Sequence, residues 1–168
     1  LARNLIAAAM DRVRAQVQDP LVRQAGRFMA QATDGAFSGI QTELDAGNEP
    51  VVRGVRPDGS TVGVSEMSAG TRDQLFLAFR LASVETYCRA TEPLPFIADD
   101  LLVQFDDARS HSTLSVLAEF ARTTQVLLFT HHDSIRDMAR VLQGEGAAIN
   151  LLELPALAST RPVAAIGD

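Results

Sequence analysis

The sequence contains no lysine: every positive side chain in its 168 residues is an arginine. A phosphate-binding loop of the form GxxxxGK[ST] needs a lysine to reach the β- and γ-phosphates, so this chain cannot hold one. Tryptophan is absent as well, and cysteine occurs once. Cys88 has no partner for an internal disulfide, which fits a reducing compartment. Its apolar helical surroundings mark it as a small buried hydrophobe rather than a reactive thiol. Long apolar runs are lacking, and none approaches the roughly 18 residues that a membrane span needs. No basic segment leads into an apolar stretch with a cleavage site. The expected location is therefore cytoplasmic, with nucleoid association open and no membrane partner. An excess of positive charge is missing too. The net charge of −6 argues against the chain as a whole being an electrostatic DNA binder, although residues 1–27 carry five arginines against two aspartates. That local excess reads as a solvated helix face.

What remains is a globular composition, 46% hydrophobic and 21% charged, and a length suited to one domain or one lobe of a larger one. The opening on Leu1, without Met, fits a part of something longer. Ile6, Met10, Val13 and Val17 recur at helical spacing and predict a helix over 1–18. Asp19-Pro20 breaks and restarts it, and a second helix runs to about Ala32. One apolar stripe over so much helix fits either a partner helix outside the chain or an ordinary core-facing pair.

The period then changes. Phe37, Ile40 and Leu44 mark a first strand, and residues 51–56 and 61–64 flank the turn Pro57-Asp58-Gly59-Ser60, which predicts an antiparallel meander. Residues 67–90 read as a helix apolar on almost every face, hence buried. From residue 93 strand and helix alternate. Residues 95–98 form a short strand ending in Asp99-Asp100, with a helix over about 107–122. Residues 126–129 form a second strand ending in Thr130-His131-His132, with a helix over 134–142. A third strand is expected over 148–152, and the tail after Pro155 reads as loosely ordered. Apolar strands separated by helices predict a parallel sheet covered on both faces, with chemistry at the carboxyl ends of its strands.

Three polar clusters carry the chemistry. Asp99 and Asp100 end one strand: one carboxylate can hold Mg²⁺ while its neighbour orients or deprotonates a water, the division of labour that phosphoanhydride hydrolysis needs. A helix cap plus a solvated neighbour explains the same pair. His131-His132-Asp133 ends the other strand, suited to contact a γ-phosphate, to ligate a metal or to cap a turn. Met67-Ser68-Ala69-Gly70-Thr71 precedes the buried helix and offers a hydroxyl and free backbone N–H groups to an anion; simple capping by Ser68 explains it equally.

In this order the elements resemble one family. Ser68-Ala69-Gly70-Thr71 looks like the signature motif of ABC-type ATPases, Phe96 to Asp100 like Walker B with its catalytic acid, Phe105-Asp106-Asp107 like the D-loop, and Thr130 to Asp133 like the switch-histidine loop. The stretch from Met67 to Asp133 is similar to the SMC, SbcC and YhaN-like coiled-coil ATPases. Two departures stand out: Asp100 replaces the usual Glu and is one methylene shorter, and the signature reads Ser-Ala-Gly-Thr rather than Ser-Gly-Gly-Gln.

The resemblance implies an α/β fold: the C-terminal lobe of a P-loop NTPase-like ABC head. Its parallel sheet with flanking helices follows a β-meander and a helical coiled-coil root. The implied division is 1–33 root, 34–66 meander, 67–155 ATPase lobe and 156–168 tail. It explains the missing lysine, since such heads carry Walker A on an N-terminal lobe beyond the coiled coil. The implied cofactors are ATP and Mg²⁺, with Asp99 on the metal and Asp100 and His132 catalytic. His131 is the alternative switch histidine, and His132 is preferred because His132-Asp133 reproduces the family's His-acidic pair. Ser68, Gly70 and Thr71 would meet ATP held by a second head, and Asp106 would couple the heads. The implied partners are the Walker A lobe of the same protein, a second head in a homodimer and DNA in the full-length protein, with a nuclease partner left open; DNA repair or chromosome maintenance is the implied setting. A non-catalytic ATPase-fold scaffold, or a metal-dependent nuclease using Asp99, Asp100, His131 and His132, remains as the alternative.

Overall fold

The structure, a computed structural model, describes residues 20–47 and 49–154. The helix expected over 1–18 and the tail expected over 156–168 lie outside these residues. Helix α1 spans Pro20–Ala32. It begins on proline, whose fixed φ suits a first helical turn and whose missing N–H would have no intrahelical partner there. The helix stops where Asp34 and Gly35 take positive φ of 49° and 77°, which turns the chain back towards the sheet.

Three antiparallel strands follow in the order β1 (Gly39–Leu44), β2 (Pro50–Val55) and β3 (Thr61–Gly63). Gly39 pairs with Val55, and Arg53 with Gly63. The Pro57–Ser60 turn closes the second hairpin through the Arg56 carbonyl, which accepts from Gly59 N–H at 2.9 Å. This is the meander that the sequence predicts. Helix α1 lies against it so closely that a Cβ on Gly26 would stand 2.9 Å from the Ile40 backbone nitrogen.

After a single 3₁₀ turn at Val64–Glu66, helix α2 runs over Ala69–Ala90. Strand β4 (Phe96–Asp99), helix α3 (Asp107–Phe120), strand β5 (Val126–Phe129) and helix α4 (Asp133–Gly144) complete the described fold. β4 and β5 pair in parallel, with Phe96 opposite Val126 and Asp99 opposite Phe129. The architecture is mixed α/β, a parallel strand pair with helices preceded by an antiparallel sheet.

Three expectations need correction. Residues 148–152 form no strand. The Ile149 carbonyl instead accepts from the Gln143 side chain at 2.6 Å, and among the described residues neither outer edge of the two-stranded sheet is paired. Helix α2 is not buried all round: Leu75, Leu77, Ala78, Leu81 and Ala82 face the core, while Phe76 is 57% exposed. Cys88 is half-buried rather than buried.

The core joins α1, α2, α3 and β4. Phe120 sits at its centre, edge-on to Phe28 at 5.8 Å and to Phe96 at 6.0 Å; such pairs contribute about 0.5–1.5 kcal/mol beyond area burial. The apolar stripe of α1 thus faces the chain's own core. A second cluster holds Leu102, Leu114, Ile135 and Leu142, which fastens the loop after β4 to α3 and α4.

One buried charge fixes α1 to α2. The Glu85 carboxylate accepts from Gln24, from Arg27 Nη2 at 2.8 Å and from Arg89 Nη2 at 2.8 Å. Burial pushes the Glu85 carboxyl up, but the Gln24 hydrogen bond and the Arg27 and Arg89 guanidinium groups outweigh it and leave the pKa below the ordinary 4.5. A carboxylate with a depressed folded-state pKa contributes stability that is complete above its unfolded value and lost as pH falls through the folded one. Glu85→Gln is therefore expected to lower the unfolding free energy at pH 7 by about 1–3 kcal/mol. The gap between wild type and variant should close as pH falls below 4.5. Urea titrations of both proteins at pH 7 and pH 3 check this.

Candidate functional site

The parallel register of β4 and β5 brings two polar segments to one edge. Asp99 is opposite Phe129, and Asp100 N–H donates to the Phe129 carbonyl at 3.0 Å. The residues just beyond each strand, Asp100 on one side and Thr130 to His132 on the other, therefore emerge together. His131 Nδ1 lies 2.9 Å from Asp100 Oδ2. The two histidine rings lie against each other with centroids 4.1 Å apart. Thr130 Oγ1 accepts from His132 N–H at 3.2 Å, which folds the segment into a turn before α4.

Alternation along β4 splits the two carboxylates. Phe96 and Ala98 are buried, whereas Ile97 and Asp99 point to the open face. Asp100 then departs from strand geometry with φ of 45°. A non-glycine residue in this region costs roughly 1–2 kcal/mol, and Asp tolerates it better than most. Two polar atoms here are buried without any hydrogen-bond partner: Asp100 Oδ1 and His132 Nε2. Buried polar atoms without a partner suit contact with a ligand or a water.

The segment at the start of α2 forms a second cluster. Ser68 caps the helix: its Oγ accepts from Thr71 N–H at 3.2 Å and lies 2.8 Å from the Thr71 hydroxyl. A Cβ on Gly70 would stand 2.5 Å from Arg109 Nη1 and 3.6 Å from the Gln104 carbonyl oxygen. Arg109 belongs to α3, whose cap is Asp106; Asp106 Oδ1 accepts from Arg109 N–H at 2.9 Å, and Asp106 Oδ2 is 3.5 Å from Arg109 Nε. Gly70 and Asp106 thus meet at Arg109, a residue that sequence reasoning did not single out. Its place on the first turn after the Asp106 cap was readable, but nothing in the spacing pointed it at Gly70.

Tight turns join the two clusters. The Asp100 carbonyl accepts from Val103 N–H at 3.3 Å, and the Leu102 carbonyl from Phe105 N–H at 3.1 Å. With Leu102 buried in the second core cluster, the path from the carboxylate pair to Asp106 is short and anchored. Asp99, Asp100, His131 and His132 stand at its start, and Ser68, Gly70, Thr71 and Asp106 at its end.

Known proteins resemble the chain in sequence and in fold. No family model matches the chain. It is 33% identical over 118 residues, 70% of its length, to the uncharacterized protein YhaN of Bacillus subtilis (strain 168). The chain spans only 12% of that relative's length. Among solved structures, the SMC head domain from Thermotoga maritima matches with a TM-score of 0.53 at 18% identity, over 78% of this chain and 44% of that one. The Smc head of Pyrococcus furiosus, solved with an extended coiled coil and bound to the C-terminal domain of ScpA, matches with a TM-score of 0.53 at 15% identity. That match covers 71% of this chain and 30% of the other. An SMC ATPase structure from work on ATP-driven dimerization and DNA-stimulated activation gives a TM-score of 0.56 at 16% identity, over 71% of both chains.

The left-handed backbone at Asp100 yields a stability prediction. Asp100→Gly removes the Cβ clash and is expected to raise the unfolding free energy by a few tenths to about 1 kcal/mol. Denaturant unfolding of the two proteins measures it. A fall in stability instead means that the carboxylate's bond to His131 outweighs the backbone strain.

Proposed function

The chain is SMC/YhaN-like, with the fold of SMC head domains, and on that premise we propose that it is the C-terminal lobe of an ATPase head that works by ATP-dependent dimerisation. The observation that carries this reading is the division of polar groups into two clusters on one anchored path. One cluster lies at the carboxyl ends of a parallel strand pair, where α/β sheets hold their ligands; the other lies at the start of a long helix.

In this reading ATP and Mg²⁺ fit the residues present. Asp99 offers an exposed carboxylate oxygen to a hard cation, and the unpartnered Asp100 Oδ1 and His132 Nε2 leave acceptor and donor capacity for a water and a phosphate oxygen. Mg²⁺, when bound, neutralises charge on the phosphates. Asp100 orients the attacking water and accepts its proton, and His132 holds the γ-phosphate end. Ser68, Gly70 and Thr71 present a hydroxyl and backbone N–H groups to the nucleotide of a second head, and Asp106 couples that contact to the first head. Walker A comes from a separate N-terminal lobe, consistent with the lack of lysine here. The open face of the strand pair supports that partner: Ile97 is 56% and Phe129 46% exposed, whereas parallel sheets are ordinarily covered on both faces. DNA repair or chromosome maintenance in the cytoplasm, with DNA and in some settings a nuclease as partners, is the biological role this proposal extends to.

Asp100 is one methylene shorter than Glu and is tied to His131, which also favours a second reading, an ATPase-fold scaffold without turnover. The two readings part on one comparison in the full-length protein with its Walker A lobe. Asp100→Asn is expected to slow single-turnover ATP hydrolysis about 10²–10⁴-fold with little loss of Mg-ATP affinity. Asp99→Asn should weaken Mg-ATP binding as well. A near-wild-type rate for Asp100→Asn removes Asp100 from catalysis.

Ser68→Arg addresses the second cluster. It is expected to leave Mg-ATP binding by a single head nearly intact while abolishing dimerisation driven by a non-hydrolysable analogue, as read by sedimentation velocity. Unchanged dimerisation would reduce Ser68 to a helix cap.

A further inference from the structure

We propose that Asp100, His131 and His132 form a site for a borderline divalent cation of the Zn²⁺ type, distinct from the hard-cation position expected at Asp99. The donor set consists of two imidazole nitrogens and one carboxylate oxygen, whose ligating atoms all lie within 4.8 Å of one another. Imidazole suits Zn²⁺, Ni²⁺ and Co²⁺, while Mg²⁺ takes oxygen ligands and rarely exchanges them for nitrogen. Asp99 is not among the three.

The geometry is part-way to coordination. Donors on one tetrahedral ion, with bonds of about 2.0–2.2 Å, stand roughly 3.3–3.5 Å apart. The His131–Asp100 pair is already at 2.9 Å. To admit a cation that pair must open by a few tenths of an ångström, about the width set by tetrahedral bonds, and a small turn of His131, whose side chain is 73% exposed, allows it. The backbone under the site needs no change, because Asp100 N–H is fixed to the Phe129 carbonyl at the end of β5.

A second observation points to a ligand. Asp100 Oδ1 and His132 Nε2 are both shielded from solvent, and neither has a hydrogen-bond partner. Leaving such atoms unsatisfied costs about 1–3 kcal/mol each, and a cation that takes either one as a ligand offsets that cost. Three protein donors also leave a fourth position for water or a phosphate oxygen. On the ATPase reading, and only there, a consequence follows: the cation would hold Asp100 and His132 together and withdraw both from the nucleotide, so that it inhibits hydrolysis.

The test contains no nucleotide, so its failure leaves the ATPase reading where it stands. The untagged 168-residue chain, stripped of metal, is titrated with Zn²⁺ in competition with a chromophoric chelator, and with Co²⁺ while visible ligand-field absorption is recorded. One equivalent should bind. Affinity should fall tenfold or more in His131→Ala, His132→Ala and Asp100→Asn, and stay unchanged in His111→Ala, which alters the third of the chain's three histidines. His131→Ala is decisive because so exposed a side chain can be removed without loss of the fold, which circular dichroism verifies. Absence of competition by the wild-type chain, or undiminished affinity in His131→Ala, overturns the proposal.

Discussion

The parallel pairing of β4 with β5 involves only four residues on each strand, yet it sets where the carboxylate pair and the histidine pair stand relative to each other. Because side chains alternate along a strand, sliding one strand by a single residue would send every side chain to the opposite face. Phe96 and Ala98 would leave the core, and His131 would move away from Asp100. The register is held from below by Phe96, packed edge-on against Phe120, and from above by the Asp100-to-Phe129 backbone bond. Position at the site is thus derived from core packing, and the polar residues themselves contribute little to it.

The same economy governs the link between the clusters. The Asp100-to-Phe105 turns cross a short distance, and Leu102 pins their midpoint between α3 and α4. These turns lead from the carboxylate end to the Asp106 cap, where Arg109 stands against both Asp106 and Gly70. A proposed head that reads nucleotide at one end and a neighbouring head at the other needs such a connection to be stiff. Packed apolar anchors provide stiffness more reliably than exposed ion pairs do.

Much of this was legible in the sequence because the signals are local. Pro57-Asp58-Gly59-Ser60 dictates its own turn, Ser68 and Asp106 cap their own helices, and an apolar run such as Val126–Phe129 needs only its own composition to be a strand. The failures concern partnership. Residues 148–152 have strand-like side chains, but a strand exists only beside another, and the described residues provide none there. The apolar pattern over 67–90 points to burial on almost every face, yet Phe76 is exposed, because burial depends on what lies opposite. Within the site, the sequence supplied the identities of Asp100, His131 and His132. The left-handed backbone at Asp100, the choice of His131 as its partner and the approach of Arg109 to Gly70 depend on register and side-chain direction, which spacing does not encode.

The open face of the strand pair has a bearing on how this polypeptide must be handled during synthesis. Ile97, Leu127 and Phe129 form an apolar surface bordered by strand edges that are unpaired among the described residues, the combination that promotes edge-to-edge association. A nascent chain presenting it is exposed to self-association until that surface is covered. If the covering segment lies far away in sequence, closure is slow, and the interval favours assistance by a chaperone. Solubility on overexpression would then depend less on the stability of the core around Phe120 than on whether that apolar face is covered.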